Sequence, residues 1–172
     1  MEELFNGFGW RVVMEEAMLP DGRKKKAARI HRCDSAHIIA LTGKGSVLLL
    51  REYRPFYGDY VWMLPSGKVD KETSAMEAAQ RELREETGYR AENIRHYCTV
   101  FGSESIDISH HIFIAEGLTK DPLPSDDDEM IEVHELSFED AIKNVLSSGN
   151  IHEISGFALF RYLHDYPPSP SV

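Results

Sequence analysis

Cysteine is scarce in this chain: two residues, Cys33 and Cys98, in 172. They are far apart and lack Cys-x-x-Cys spacing, which excludes a disulfide framework and points to reduced thiols. Long hydrophobic runs are missing too. No stretch approaches the ~20 apolar residues of a membrane span, so no membrane partner is expected. The opening Met1-Glu2-Glu3-Leu4 has neither the basic region nor the apolar run of a signal peptide, and the expected compartment is the cytoplasm. An excess of basic charge is likewise absent. Nineteen Lys and Arg stand against 29 Asp and Glu, for a net charge of −10. That argues against a nucleic-acid partner, which needs a basic stripe. It leaves room for a phosphorylated substrate, because bound cations invert the local field. No internal repeat is present. What remains, 42% hydrophobic and 28% charged residues, is an ordinary globular balance at a length that suits one sizeable core.

Strand patterns come first along the chain. Residues 9–20 read as a strand, Asp21-Gly22 as a turn, and Lys24 to Arg32 as the returning strand. Residues 35–41 and 46–53 read as a hairpin around Gly43-Lys44-Gly45. Their near-continuous apolar content predicts central strands covered on both faces. Residues 60–64 form a short strand ending at Pro65. A helix is predicted from about Thr73 to Thr87, capped by Ser74 with Glu77 or by Thr73, with Met76, Ala79 and Leu83 as its apolar face. Residues 94–101 and 111–116 are further strands, 119–130 a Pro- and Asp-rich loop, and 131–136 a strand. A helix opens at Ser137-Phe-Glu-Asp140 and ends near Gly149, and a last helix spans about 153–165. Strands first, one helix mid-chain and two at the end suit a mixed sheet sandwiched between helices. The division expected is an amino-terminal hairpin region at 1–34, a main domain at 35–166 and a frayed tail at 167–172.

The mid-chain helix carries the chemistry. Gly67 opens a loop that runs into Arg81-Glu82-Leu83-Arg84-Glu85-Glu86 and stops at Gly88. Glu82, Glu85 and Glu86 sit at i, i+3 and i+4 and face one way. Like charges at that spacing repel by a few tenths of a kcal/mol per pair. Carboxylates concentrated in this way suit a hard divalent cation such as Mg²⁺. The six-residue run alone would serve as a solvated helix face. The framework of Gly67, the spacing to Arg81 and the terminating Gly88 is much rarer by chance.

The segment resembles the Nudix box, Gly-x5-Glu-x7-Arg-Glu-U-x-Glu-Glu-x-Gly-U, with U a bulky apolar residue. Gly67, Arg81, Glu82, Leu83, Glu85, Glu86, Gly88 and Tyr89 fall on the pattern. Thr73 stands where the pattern has its first Glu, and Glu72 lies one position earlier. Either Glu72 reaches Arg81 from a shifted loop or that brace is lost. Tyr53-Arg54 and Leu64-Pro65-Ser66-Gly67 are similar to the Gln-Tyr-Arg and Glu-Leu-Pro-Ala-Gly segments of the ADP-ribose and nucleotide-sugar pyrophosphatase subgroup. Glu52, Met63 and Ser66 depart from it. The proline that ADP-ribose hydrolases often carry past the box is absent from Ser103-Glu104-Ser105-Ile106, as is the tyrosine of dinucleoside polyphosphate hydrolases.

The resemblance implies an α/β/α Nudix sandwich with a mixed sheet and an added amino-terminal antiparallel hairpin. It implies hydrolysis of a pyrophosphate bond in a nucleoside diphosphate linked to a sugar or similar group, with Mg²⁺, or Mn²⁺, as cofactor. Carried over by position, Glu82 and Glu86 are metal ligands. Glu85 binds a further ion or acts as base, and the Ser66 carbonyl is another ligand. Gly67 and Arg81 hold the loop. Arg54, with Tyr53, is placed on substrate, since a guanidinium grips two oxygens at once. The general base is expected in the acidic segment Asp126-Asp-Asp-Glu129 or at Glu132, with Glu129 and Glu132 ranked first. A homodimer built through the amino-terminal hairpin is also implied. His110 and His111, as strand neighbours, point to opposite faces and do not easily share one ion. Phe8, Trp10, Phe56 and Tyr57 suit base stacking or a core or interface. A catalytically silent nucleotide sensor, or a hydrolase of RNA ends or oxidised nucleotides, is the alternative. Three ionised carboxylates on one face speak against the first of these, and the acidic balance against RNA.

Overall fold

The computed structural model describes residues 2–43, 45–70, 74–125 and 129–167. Near the amino terminus β1 (Glu2–Gly7), β2 (Trp10–Met18) and β3 (Lys24–Arg32) form an antiparallel ribbon. Trp10–Met18 is the expected strand in shortened form, whereas β1 was not foreseen. Its side chains are mostly exposed, so it lacks the alternation that marks a half-buried strand. Phe8 and Gly9, both at positive φ (53° and 77°), make the two-residue β1–β2 turn, whose geometry matches the twist of its strands.

Next come β4 (Ser35–Ala40), β5 (Val47–Arg54), β6 (Asp59–Met63) and β7 (Ser66–Lys68). Helix α1 (Ala75–Thr87) follows, then the long strands β8 (Tyr89–Ser103) and β9 (Ile106–Lys120). β10 (Ile131–Leu136), α2 (Phe138–Ser147) and α3 (Glu153–Asp165) complete the fold. One sheet of seven strands runs β1-β2-β3-β9-β4-β7, with β8 also paired to β9; a second has the order β10-β5-β6. The β4/β5 hairpin expected from sequence does not form. Both edges of β4 are occupied, by β9 in parallel and β7 in antiparallel fashion, while β5 lies between β6 and β10. Among the described residues, the Leu41–Val47 bridge and the Thr42 amide, which donates to the Ser46 carbonyl at 2.9 Å, link the ends of the two segments. Their apolar content is nevertheless explained, because each is covered on both faces. Ala36, Ile38, Ala40 and Leu48 pack with Ala78, Ala79 and Leu83 of α1. Ile39, Val47 and Leu49 pack with Ala141, Val145, Ala158 and Leu159 of α2 and α3.

Ser74 caps α1, accepting from the Glu77 amide at 3.2 Å. Gly88, at φ 73°, closes it by donating to the Arg84 carbonyl. The buried face is Ala78, Ala79, Leu83 and Thr87; Met76 is 46% exposed and not part of it. Small alanines at 78 and 79 let the helix settle closely on β4. β8 and β9 run well past the expected 94–101 and 111–116, because their pairing continues into exposed ends where apolar alternation fades. β10, α2 and α3 lie where the sequence placed them. Among the described residues no helix is long and apolar enough to cross a membrane.

Candidate active site

The site is built where the Leu64-Pro65-Ser66-Gly67 turn meets α1. The turn is tied to β4, with the Ile38 amide donating to the Pro65 carbonyl at 2.9 Å. It is tied to α1 as well, with the Ser66 amide donating to Glu86 Oε2 at 2.7 Å. Gly67 is required by space. A Cβ there would stand 1.9 Å from Glu82 Oε1, so only glycine lets the helix carboxylate lie against the turn. Arg81 gathers the acids. It donates to Glu82 at 2.8 Å, to Glu85 at 2.5 Å and to the Lys68 carbonyl at 3.2 Å. The last bond braces the loop through its backbone. The alternatives for the box glutamate, Glu72 and Thr73, lie outside the described residues.

Charge is heavily one-sided here. Burial, first of all, pushes the Glu82 carboxyl up to about 7; Arg81 opposes the rise, and Glu85 and Glu129 add to it. Burial also holds Glu86 well above the usual carboxylate range, opposed by the Ser66 amide and reinforced by Glu82, Glu129 and Glu52. Glu52 is buried and raised in the same sense, with Arg54 opposing and Glu129 adding. Glu129 therefore stands within electrostatic reach of all three acids. Arg54 Nη2 meets Glu52 Oε2 at 2.8 Å and Met63 Sδ at 3.2 Å.

A NUDIX domain family model matches residues 31–153. The chain belongs to that family. It is 28% identical over 165 residues to an ADP-ribose pyrophosphatase of Bacillus subtilis (strain 168), covering 94% of this chain and 89% of the relative. It is 26% identical over 147 residues to the methanol dehydrogenase activator of Bacillus methanolicus, covering 84% and 80%. A solved ADP compounds hydrolase shares the fold, with a TM-score of 0.74 at 20% identity over 96% of this chain and 92% of that one.

Nudix hydrolases work with a divalent metal. The donors here suit one: hard carboxylate oxygens, buried and incompletely balanced by Arg81 and Arg54. Among the described residues no three acidic, His or Cys groups are already converged on one point. Arg81 engages Glu82 and Glu85 instead, and the Ser66 amide engages Glu86.

The strand pleat divides the remaining candidates of this Nudix chain. Glu52 and Arg54 share one face of β5 and Arg51 and Tyr53 the other. Tyr53 packs edge-on against Tyr60 there, with ring centroids 5.3 Å apart. Glu132 lies opposite Arg51 in the β10–β5 register and accepts from it at 3.1 Å with both oxygens. The structure thus brings together Arg54, Ser66, Gly67, Arg81, Glu82, Glu85, Glu86 and Glu129. It leaves Tyr53 and Glu132 on the far side of β5. Asp126, Asp127 and Asp128 lie outside the described residues. His110 bonds Ser35 and His111 bonds Thr99, the two faces that strand neighbours must take. Phe8, Phe56 and Tyr57 are exposed, and Trp10 lies under the Arg32 guanidinium. The residue that sequence reasoning undervalued is Glu52. Its i, i+2 spacing to Arg54 on a strand was the available signal.

Proposed function

We propose that this Nudix hydrolase cleaves the pyrophosphate bond of a nucleoside diphosphate linked to a sugar, of the ADP-ribose or ADP-sugar type, with Mg²⁺ as its metal and Mn²⁺ as a substitute. One observation carries the reading. The acids Glu82, Glu85 and Glu86 are gathered against the Pro65-Ser66-Gly67 turn, with Glu129 in electrostatic reach and Arg54 on the neighbouring strand. The ADP-ribose pyrophosphatase of Bacillus subtilis, similar along nearly its whole length, supports the substrate class.

Glu82, Glu86, Glu85 and the Ser66 carbonyl would hold the metal, which when bound offsets the negative charge of the diphosphate. Arg54, anchored through Nη2 to Glu52, presents the rest of its guanidinium to a phosphate or the terminal sugar. Glu129 accepts a proton from the attacking water. The water oxygen bonds one phosphorus as the bridging P–O bond breaks. A nucleoside monophosphate and a sugar phosphate leave. A homodimer through the β1–β3 ribbon belongs to the same reading, supported by exposed Leu4, Phe5 and Phe8; sedimentation at the monomer mass would refute it.

A panel of ADP-ribose, ADP-glucose, UDP-glucose, GDP-mannose, dinucleoside polyphosphate and capped RNA, assayed with Mg²⁺ for monophosphate release, tests the proposal. Turnover of an ADP-linked sugar above the others is expected. Glu86→Gln should lower kcat by about 10²–10³-fold with the fold intact. Cleavage of capped RNA alone, or binding without turnover, would overturn the assignment.

A further inference from the structure

The catalytic turn has a third tie, to α3. The Leu64 amide donates to Ser155 Oγ at 2.8 Å, with both residues completely buried. Ser155 is also bonded to His152, the residue that caps α3. Oγ lies 2.8 Å from His152 Nδ1, and the Ser155 amide donates to the same Nδ1 at 3.3 Å. A serine hydroxyl carries one proton and a ring nitrogen one lone pair or one proton. Since Nδ1 accepts from the Ser155 amide, it carries no proton, and the ring proton is on Nε2. The hydroxyl proton of Ser155 is then directed to Nδ1, whose single lone pair is shared by the hydroxyl at 2.8 Å and the amide at 3.3 Å, and the hydroxyl oxygen receives Leu64 N–H. The chain of donors runs one way: Leu64 amide, Ser155 hydroxyl, His152 ring.

We infer that Ser155 and His152 are positioning residues, which fix the Leu64-Pro65-Ser66 turn so that the Ser66 amide meets Glu86 of α1 and Met63 meets Arg54. The turn is held from three directions. Pro65 is tied to β4, Ser66 to Glu86 of α1, and Leu64 to α3 through the relay. Two residues near Leu64 matter to the chemistry: Ser66, two positions on and bonded to Glu86, and Met63, one position before and bonded to Arg54. Loss of the hydroxyl leaves a buried amide without a partner and unties one corner of this frame. Loss of the Nδ1 lone pair frees the hydroxyl to turn away. The catalytic half of this inference rests on the pyrophosphatase reading above; the structural half does not.

The experiment uses the full chain in four forms: wild type, Ser155→Ala, His152→Leu and His152→Asn. Asparagine offers Oδ1 where histidine offers Nδ1 and is itself a strong helix cap, so it should restore the relay. Three readouts are taken: amide exchange at Leu64, the ¹⁵N signature of the His152 ring, and the Mg²⁺ concentration giving half-maximal turnover of ADP-ribose. Ser155→Ala and His152→Leu should exchange Leu64 faster. They should also need ~10-fold or more Mg²⁺, the loss typical of a removed outer-shell partner. His152→Asn should behave as wild type, and the wild-type ring should be neutral with its proton on Nε2. If Ser155→Ala does not fold, the Leu and Asn variants at 152 decide the matter. Wild-type exchange and Mg²⁺ dependence in His152→Leu, or a proton on Nδ1, would overturn the inference. Faster Leu64 exchange in a protein whose wild type cleaves no member of the panel would uphold the relay and reject the pyrophosphatase reading.

Discussion

Burial and charge oppose one another at Glu82. Its carboxyl ionises near 7 in the fold, against 4.5 for an ordinary glutamate. Between those values the native chain keeps a proton that the unfolded chain has released, so stability falls as pH rises. Glu86 shifts in the same direction. Without added divalent cation, thermal unfolding should therefore occur at a lower temperature at pH 8 than at pH 5, and Mg²⁺ should reverse the loss. A melting curve that is flat with pH and indifferent to Mg²⁺ would contradict the metal assignment. Gly67 offers a second test at this scale. Gly67→Ala places a Cβ where Glu82 Oε1 now lies, and a flexible side chain yields more readily than a turn. Turnover should fall by about 10²-fold or more, as when one preorganised group is lost. Stability should change by only ~1–3 kcal/mol, measured by denaturant unfolding.

Among the elements, the period of two in β5 sorts the acids. Glu129 raises the carboxyls of Glu52, Glu82 and Glu86, whereas Glu132 is spent on Arg51 and His134 on the other side of the sheet. Glu129→Gln should lower kcat by about 10²-fold, the contribution of a positioned general base. Glu132→Gln should leave kcat within ~2-fold, since exposed ion pairs contribute little. Steady-state kinetics on the two variants decides between them. This choice marks where sequence reading ran out. The box helix, its Ser74 cap and its Gly88 stop were legible because they are local: a side chain bonding an amide three residues on, and a glycine in a left-handed bend. Gly67, Arg81 and the three carboxylates were legible through fixed spacing. The partition of Glu129 from Glu132 was not, because it depends on which strand β10 pairs with. The β4/β5 hairpin failed for the same reason. Adjacent apolar runs look like partners until β9 and β7, both later in the chain, take the edges of β4. The His152–Ser155 relay was hidden similarly, because its receiver, the Leu64 amide, is 91 residues away from Ser155.

For the whole molecule, α1 covers one face of the joined sheets and α2 and α3 the other, so the Leu64-Pro65-Ser66-Gly67 turn sits between two separate apolar clusters. The β1–β3 ribbon meets the rest of the seven-stranded sheet at a narrow seam, where β3 pairs with β9 at Ile30–Ile106 and His31–Asp107 and the Ile30 amide donates to the Ser105 carbonyl. The seam is dressed with charge: His31 and Arg29 to Asp107, Lys25 to Glu104. Coulomb attraction in the Arg29–Asp107 and Lys25–Glu104 pairs decays over about 10 Å at 0.1 M salt and about 3 Å at 1 M. The join between ribbon and body therefore combines the Ile30–Ile106 pair and its backbone bonds with ion pairs that salt weakens. Raising sodium chloride to 1 M should quicken deuterium uptake in β1–β3 while β4 and the central part of β9 hold their protons. A cell's ionic strength, and not only its temperature, would then set how often the amino-terminal arm lets go.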